Sequence, residues 1–245
     1  MTRIETTFDF QSDTPPGEDP DAASRTLRRY HKFLWSKQLP SGEFFNLSDT
    51  EPNTYLYHSS KLGKFKLSSD SLIPSYSRVK NSQIVSIVEE VERQYVESFR
   101  NIAYTIGGML VFPSNQVNRK LTINQARGMN SQVRDRFDLT LECIRRFYFG
   151  QSSPLADTLQ RYAEFFGLFD TFRGYVDFFL LQDAVSANYS EVVFSLPFHG
   201  FDMPAFPHNK DLYLLYRENC INFIRARNQR IQTYCEASAV SQNIA

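Results

Sequence analysis

Arginine and carboxamide side chains are concentrated between residues 115 and 136. The segment carries Asn115, Arg119, Asn124, Arg127 and Arg134. Arginine offers a planar fork of five N–H donors to a phosphate, and asparagine or glutamine can form hydrogen bonds to the edge of a base. We therefore expect these side chains, together with Arg29, to form an anion-binding site for a nucleic acid or a nucleotide.

A histidine and several arginines lie on one predicted helix, residues 24–37. Arg28 precedes His31 by one helical turn, and Arg25 precedes it by six residues. The wider spacing is similar to that in HEPN-type ribonucleases, although the polar residue that those enzymes place beside the arginine is absent. The resemblance implies that His31 would act on the ribose hydroxyl or the leaving group. An arginine would neutralise the phosphorane, so we expect His31 and Arg28 as catalytic residues.

The same side chains have a structural alternative. Arg119 and Arg127 could donate hydrogen bonds to loop carbonyls, with Arg134 solvated, in a non-enzymatic interaction protein whose arginines lock a loop. Arginine and histidine side chains directed into one void would favour nucleic-acid or nucleotide binding, within a defence or toxin-like system. Arginines bonded to buried carbonyls would favour the structural role. The sequence leaves open whether the protein is an enzyme.

Metal and cofactor motifs are absent from the sequence. His199 and His208 flank Asp202, but a metal site normally needs three or four converging ligands. No glycine-rich phosphate loop occurs. We expect no metal ion and no cofactor. The cysteines, Cys143, Cys220 and Cys235, are odd in number and lack metal-ligand spacing, which favours the reducing cytoplasm.

Charge and hydropathy restrict the partners. The 27 basic and 27 acidic residues balance, so the molecule as a whole is not built to attract nucleic acid or anionic lipid. No run of about 18 apolar residues occurs, and the N-terminus lacks the apolar region of a secretory signal. We expect a cytoplasmic protein with no membrane partner.

The periodicity of apolar residues predicts the elements that position these side chains. Alternation predicts strands at 3–10, 43–47, 54–59, 64–67 and 191–198, and a short strand or buried turn at 109–112. Helical spacing predicts helices at 24–37, 81–102, 134–148 and 209–236, and a helical segment at 152–169. Ser24 can act as the N-cap of the first helix, and the acidic residues of the preceding loop, 11–23, could also cap it. Residues 170–185 are apolar almost all round and predict a central buried helix.

Strands at the front of the chain and helices behind them predict an α+β fold. We expect a small antiparallel sheet from the N-terminal third, packed against about five helices. A chain of 245 residues can bury a large core, and 22 Phe and 13 Tyr supply it. We expect a single domain over residues 1–236 and a flexible tail at 237–245.

Several segments together carry a resemblance to a family. They include Ser68-Ser-Asp70, Thr105-Ile-Gly-Gly108, Thr122-Ile-Asn-Gln-Ala-Arg-Gly128 and Asp135-Arg-Phe-Asp-Leu-Thr-Leu-Glu-Cys-Ile-Arg-Arg146. The chain resembles a bacterial family of uncharacterised proteins over nearly its whole length. The resemblance implies one domain rather than a fusion, and it brings no established activity or functional residues.

Overall fold

The computed structural model describes residues 4–76 and 82–242. This part of the chain contains ten α-helices and two small antiparallel sheets, so the predicted helix-rich α+β fold is confirmed. The helices are α1 (Pro20–Ala23), α2 (Arg25–Trp35), α3 (Ser82–Glu89), α4 (Arg93–Ala103), α5 (Ile123–Met129), α6 (Phe137–Tyr148), α7 (Ala156–Gln160), α8 (Ala163–Gly167), α9 (Phe172–Phe178) and α10 (Lys210–Gln242). The strands are β1 (Lys37–Gln38), β2 (Phe44–Phe45), β3 (Leu56–Ser60), β4 (Gly63–Ser71) and β5 (Met109–Pro113). Short 3-10 helices cover Phe10–Asp13, Ile106–Gly108 and Gln182–Ala184.

The larger sheet has the order β3-β4-β5, with β4 in the centre. β3 and β4 form a hairpin in which Ser60 pairs with Gly63, and β5 pairs along the far half of β4 from Leu67 to Ser71. All five residues of β5 are buried, because protein covers both of its faces. The predicted antiparallel pairing of the strands at 54–59 and 64–67 is confirmed, as is the short strand after the glycine pair. The predicted strand at 43–47 is shorter and pairs, as β2, with β1 in a separate two-stranded sheet.

The long helix α10 packs against the turn that precedes β5. Asn228 accepts a hydrogen bond from the Gly107 N–H at 2.7 Å and donates one to the Thr105 hydroxyl at 2.9 Å. The neighbouring Arg227 is fully buried. It donates to the main-chain carbonyls of Gly107, Met109, Phe179 and Leu180. The approach is so close that a Cβ at Gly107 would lie 2.5 Å from the Ile224 carbonyl oxygen.

An aromatic cluster fills the core between α2, β2 and α9. The Trp35 ring lies 5.2 Å from the Phe179 ring, which lies 4.9 Å from the Phe178 ring. The predicted helix at 170–185 is wrong in length, since only Phe172–Phe178 is α-helical. The chain leaves the helix because Leu180 adopts a φ of 53°, which a continuing helix does not allow. The prediction that this segment is buried is confirmed.

Other predicted boundaries are corrected by local hydrogen bonds and breaks. The strand at 3–10 does not form in its described part. The Asp9 carboxylate instead accepts the Gln11 N–H and begins a 3-10 helix, an option that competes with extended chain. The helix at 81–102 is two helices, α3 and α4, interrupted between residues 89 and 93. The strand at 191–198 is one bridge, Val185 to Val192. The helical segment at 152–169 is the two short helices α7 and α8.

The C-terminal residues 237–242 continue α10, and the rest of the predicted tail lies outside the described residues. Nothing overturns the prediction of one domain, which stays a prediction. None of the helices in the described ranges combines the length and the apolar character needed to cross a bilayer.

Replacing Gly107 by alanine should lower the free energy of unfolding by about 2 kcal/mol or more, because the new methyl group overlaps the Ile224 carbonyl and Asn228. Urea denaturation measures the change. Gly167→Ala is the matched control: no atom lies within 4 Å of its Cβ position, and alanine favours the α8 helix. Equal stabilities of the two variants would contradict the close packing of α10 on this turn.

Candidate functional site

Arg127 lies at the centre of the predicted anion-binding segment, on helix α5. A capping box starts this helix: the Thr122 hydroxyl accepts the Gln125 N–H, and the Gln125 side chain accepts the Thr122 N–H. The helix turns Arg127 inward, and its side chain is completely buried. The first half of the segment therefore directs its central arginine into the protein.

The guanidinium group of Arg127 has all of its N–H groups occupied. Nε donates to the Thr140 hydroxyl at 3.2 Å, and one Nη1–H donates to the Asp70 carboxylate at 2.5 Å. The other three bonds go to the main-chain carbonyls of Ser71, Leu72 and Asp135. An arginine has five N–H donors. No donor is left for a ligand phosphate.

The two predicted asparagines are also engaged by the sheet. Asn115 accepts the Lys66 N–H at 2.5 Å and donates to the Lys64 carbonyl at 3.2 Å, so its side chain extends the edge of β4. Asn124 donates to the Ser68 hydroxyl and to the Ser69 carbonyl, both at 3.1 Å. Its Oδ1 atom is buried and has no hydrogen-bond partner in the described part of the chain.

The remaining predicted anion-binding arginines do not converge. Arg119 is exposed, and its φ of 57° places it in a left-handed turn. Arg134 is half-buried, with its guanidinium 5.1 Å from the Phe206 ring centroid. Arg29 is exposed and lies 5.8 Å from the Tyr30 ring centroid. Each of the three has its own surroundings rather than a shared opening.

The proposed catalytic pair is engaged by other parts of the protein. Arg28 donates to the carbonyls of Asp49 and Thr54 at 3.0 and 2.8 Å. His31 is completely buried, and its Nδ1 lies 3.3 Å from the Tyr55 hydroxyl. Burial, aided by the positive charge of Arg227, lowers the pKa of His31 to about 3. His31 is therefore a neutral side chain within the core at physiological pH.

A different set of ionisable groups lines a cleft of about 230 Å³ beside Arg127. Four aspartates from three segments reach it; we call this the acidic cleft, formed by Asp19, Asp21, Asp70 and Asp135. Asp19 comes from the cap of α1, Asp21 from α1, Asp70 from β4 and Asp135 from the turn before α6. None of the predicted catalytic or anion-binding residues lines this cleft.

The carboxylates of the acidic cleft are unequally satisfied. Asp70 is bonded to Arg127, and Asp135 Oδ1 lies 3.5 Å from Arg127 Nη1. Asp21 Oδ2 accepts the Ser71 N–H at 2.9 Å. The second oxygen of Asp21, Oδ1, is buried without a hydrogen-bond partner among the described residues.

Mutual repulsion and burial raise the affinity of these carboxylates for protons. Burial raises the pKa of Asp70 to about 6; Arg127 opposes the shift, and Asp135 adds to it. Burial, followed by the charges of Asp70 and Asp19, raises the pKa of Asp21 well above its usual value. A cation placed in the cleft would relieve both effects.

The four aspartates were not among the residues that the sequence singled out. The loop at 11–23 was expected to cap the following helix, and Asp13 does so: its carboxylate accepts the Ser24 hydroxyl and the Thr26 N–H. Ser24 also caps α2, as predicted. The short spacing in Asp19-Pro-Asp21 could have indicated that two of the carboxylates lie together. Residues 19, 70 and 135, however, are too distant in the chain to be grouped without the fold.

The chain matches a protein-family model over nearly its whole length. A family model described as a family of unknown function, DUF6994, matches residues 4–231. The chain belongs to this family. This match confirms the resemblance predicted over nearly the whole chain. The family has no established activity. Comparisons with curated proteins and with solved structures found no match.

Replacing Arg127 by methionine should lower the free energy of unfolding by about 3–5 kcal/mol, because it leaves the Asp70 carboxylate and three carbonyls without their donors. Chemical denaturation measures the loss. Arg119→Met, which changes an exposed arginine, should stay within about 0.5 kcal/mol of the wild type. An Arg127→Met protein of unchanged stability that had lost binding to a phosphate ligand would favour the anion-site hypothesis instead.

Acidification should lower the stability of the protein, because the buried His31 is neutral in the folded state. Its pKa is about 3 in the folded protein and about 6.5 when unfolded, so only the unfolded state takes up the proton as the pH falls. Stability contributed by His31 is present above pH 6.5 and is lost towards pH 3. Between pH 7 and pH 4 the wild type should lose about 3 kcal/mol more than His31→Leu, measured by urea denaturation.

The aspartates with raised pKa values act in the opposite direction, since the folded state binds their protons more tightly. They are present in both proteins, so the difference between wild type and variant isolates His31. An equal pH dependence of the two proteins would show that His31 is protonated in the folded state.

Proposed function

We propose that this protein is a non-enzymatic binding protein whose acidic cleft takes up an ammonium or guanidinium group of its ligand. The observation that carries the proposal is the buried Asp21 Oδ1 atom, which has no donor among the described residues, in a cleft lined by three further aspartates. A buried acceptor without a hydrogen bond is costly. An N–H group supplied by a ligand would remove that cost.

The charge of the cleft supports a cationic ligand. Four aspartates line it, and one arginine, Arg100, lines it with them. Arg127 lies behind the wall and is already bonded to Asp70 and to main-chain carbonyls. Negative charge therefore exceeds positive charge around the opening, which attracts ammonium groups and repels phosphates.

The size of the cleft favours a single charged group. At about 230 Å³ it lies below the volumes usual for pockets that hold whole drug-sized molecules. The described residues contain no group of His, Cys, Asp and Glu that could hold a metal ion. Carboxylates too widely placed to share one metal can each accept a different N–H of an alkylammonium or a guanidinium group.

The arginines support the non-enzymatic hypothesis. Arg127 and Arg28 donate to main-chain carbonyls, and His31 lies in the core. Carbonyl-bonded arginines are the arrangement expected if these residues lock loops rather than hold a ligand. Nucleic-acid or nucleotide binding, within a defence or toxin-like system, would need the exposed Arg29 and Arg119 or another surface.

Calorimetric titration of the full chain with 1,4-diaminobutane and with methylguanidinium tests the proposal. Binding should strengthen from pH 5.5 to pH 7.5, because a bound cation favours the ionised carboxylates and Asp70 has a pKa of about 6. Asp21→Asn should weaken binding about tenfold or more, since it removes a charged acceptor but keeps an acceptor for the Ser71 N–H. Asp21→Asn should not destabilise the fold, because burial and the charges of Asp70 and Asp19 oppose the charged form of Asp21.

Glu18→Gln is the matched control, because Glu18 is exposed next to Asp19 and does not line the cleft. It should bind both cations as the wild type does. A trilysine peptide that binds more tightly than the diamine would identify a protein ligand rather than a free amine. Failure of the folded protein to bind any of these cations would overturn the proposal. Binding of a single-stranded oligonucleotide in their place would favour the nucleic-acid hypothesis.

A further inference from the structure

Lys37, in strand β1, holds its amino group among aromatic rings. Its Nζ atom lies 4.6 Å from the ring centroid of Tyr234, 4.7 Å from that of Phe178 and 5.2 Å from that of Trp35. The side chain is half-buried rather than sealed in the core. No carboxylate lies within ion-pair distance of Lys37 in the part of the chain that the structure describes.

The charged groups around Lys37 do not favour its protonated form. Arg227 of α10 is close enough to act on Lys37 electrostatically, and its own donors go only to main-chain carbonyls. Asp177 of α9, whose charge also acts on Lys37, already accepts hydrogen bonds from Gln182 and Tyr189 at 2.8 Å each. Asp177 also lies 3.5 Å from Arg173. Its charge is therefore committed elsewhere.

These surroundings change the ionisation of the amine. Burial, followed by the charge of Arg227, lowers the pKa of Lys37 to about 7, and Cys235 and Asp177 oppose the shift. The aromatic faces also attract an ammonium group, but they replace only part of the hydration that burial removes. At neutral pH, Lys37 is then an unprotonated amine in a substantial fraction of the molecules. The neighbouring His31 is neutral for the same two reasons, burial and Arg227.

We infer that Lys37 is a nucleophilic amine that forms imines with small apolar aldehydes or ketones. The three rings surround the amine with apolar groups, which favour an apolar carbonyl compound, and the unprotonated lysine provides the nucleophile. Lys32, by contrast, forms an ion pair with Asp49 at 2.7 Å. The exposed Lys61, Lys64 and Lys66 keep their hydration.

The reaction is a condensation. The Nζ lone pair attacks the carbonyl carbon, and the carbonyl π electrons move to oxygen. Two protons from nitrogen and the former carbonyl oxygen then leave as water, and a C=N bond replaces the C=O bond. The product imine is uncharged, as the position near Arg227 favours, and no oxidant or reductant is needed.

Reductive trapping with propanal and cyanoborohydride, followed by peptide mass spectrometry, tests the inference on the full chain. At pH 7 the free-amine fraction of an ordinary exposed lysine is about 0.04%. Lys37 should therefore be alkylated about tenfold faster than Lys61 or more, with a rate midpoint near pH 7. An alkylation rate at or below that of Lys61, or a midpoint near pH 10, would overturn the inference.

Two variants identify the reacting residue and test whether the aromatic rings set its ionisation. Lys37→Arg should lose only the adduct at residue 37, which identifies the site. Tyr234→Leu removes one ring of the enclosure and admits water, so the midpoint for Lys37 should rise by about one pH unit or more. An unchanged midpoint in a folded Tyr234→Leu protein would show that the aromatic enclosure does not set the reactivity.

Discussion

The buried guanidinium of Arg127 is the interaction on which the acidic cleft depends. It ties the end of β4, helix α5 and the turn before α6 through one planar group. That turn contains Arg134 and Asp135 with φ values of 49° and 64°, which side chains with a Cβ rarely adopt. A return bond from the Asp135 N–H to the Arg127 carbonyl fixes the same turn. These bonds hold Asp70 and Asp135 near each other in the acidic cleft.

A second buried arginine has a different balance of forces. Arg227 is bonded to four main-chain carbonyls and to no carboxylate among the described residues. Without a counter-charge, burial lowers its pKa to about 9, whereas the pKa of Arg127 is raised because Asp70 and Asp135 outweigh the effect of burial. Arg227 holds α10 on the Ile106–Gly108 turn and on α9. Its uncompensated charge also reaches His31 and Lys37 and disfavours their protonation.

The two arginines therefore create two regions of opposite character. Around Arg127, aspartates exceed cations, and Asp21 keeps an acceptor without a donor. Around Arg227, no carboxylate of the described residues pairs with the guanidinium group, and Lys37 lies among aromatic rings. An acceptor without a donor favours a cationic ligand, whereas a poorly paired amine favours an electrophile. The same principle connects both proposals: a buried ionisable group that lacks a partner within the protein is available to a ligand.

The sequence by itself determined the fold class, the antiparallel hairpin, the caps of α2 and much of the buried core, because hydrophobic period and capping chemistry act within a few residues. It also indicated that Arg127 lies in an unusual segment. The direction of that side chain was decided only by the tertiary structure, since its partners Asp70, Thr140 and Asp135 come from different elements. Helix breaks such as that at Leu180 depend on packing that period alone does not encode. The acidic cleft joins residues 19, 21, 70 and 135, and nothing local in the chain records that meeting.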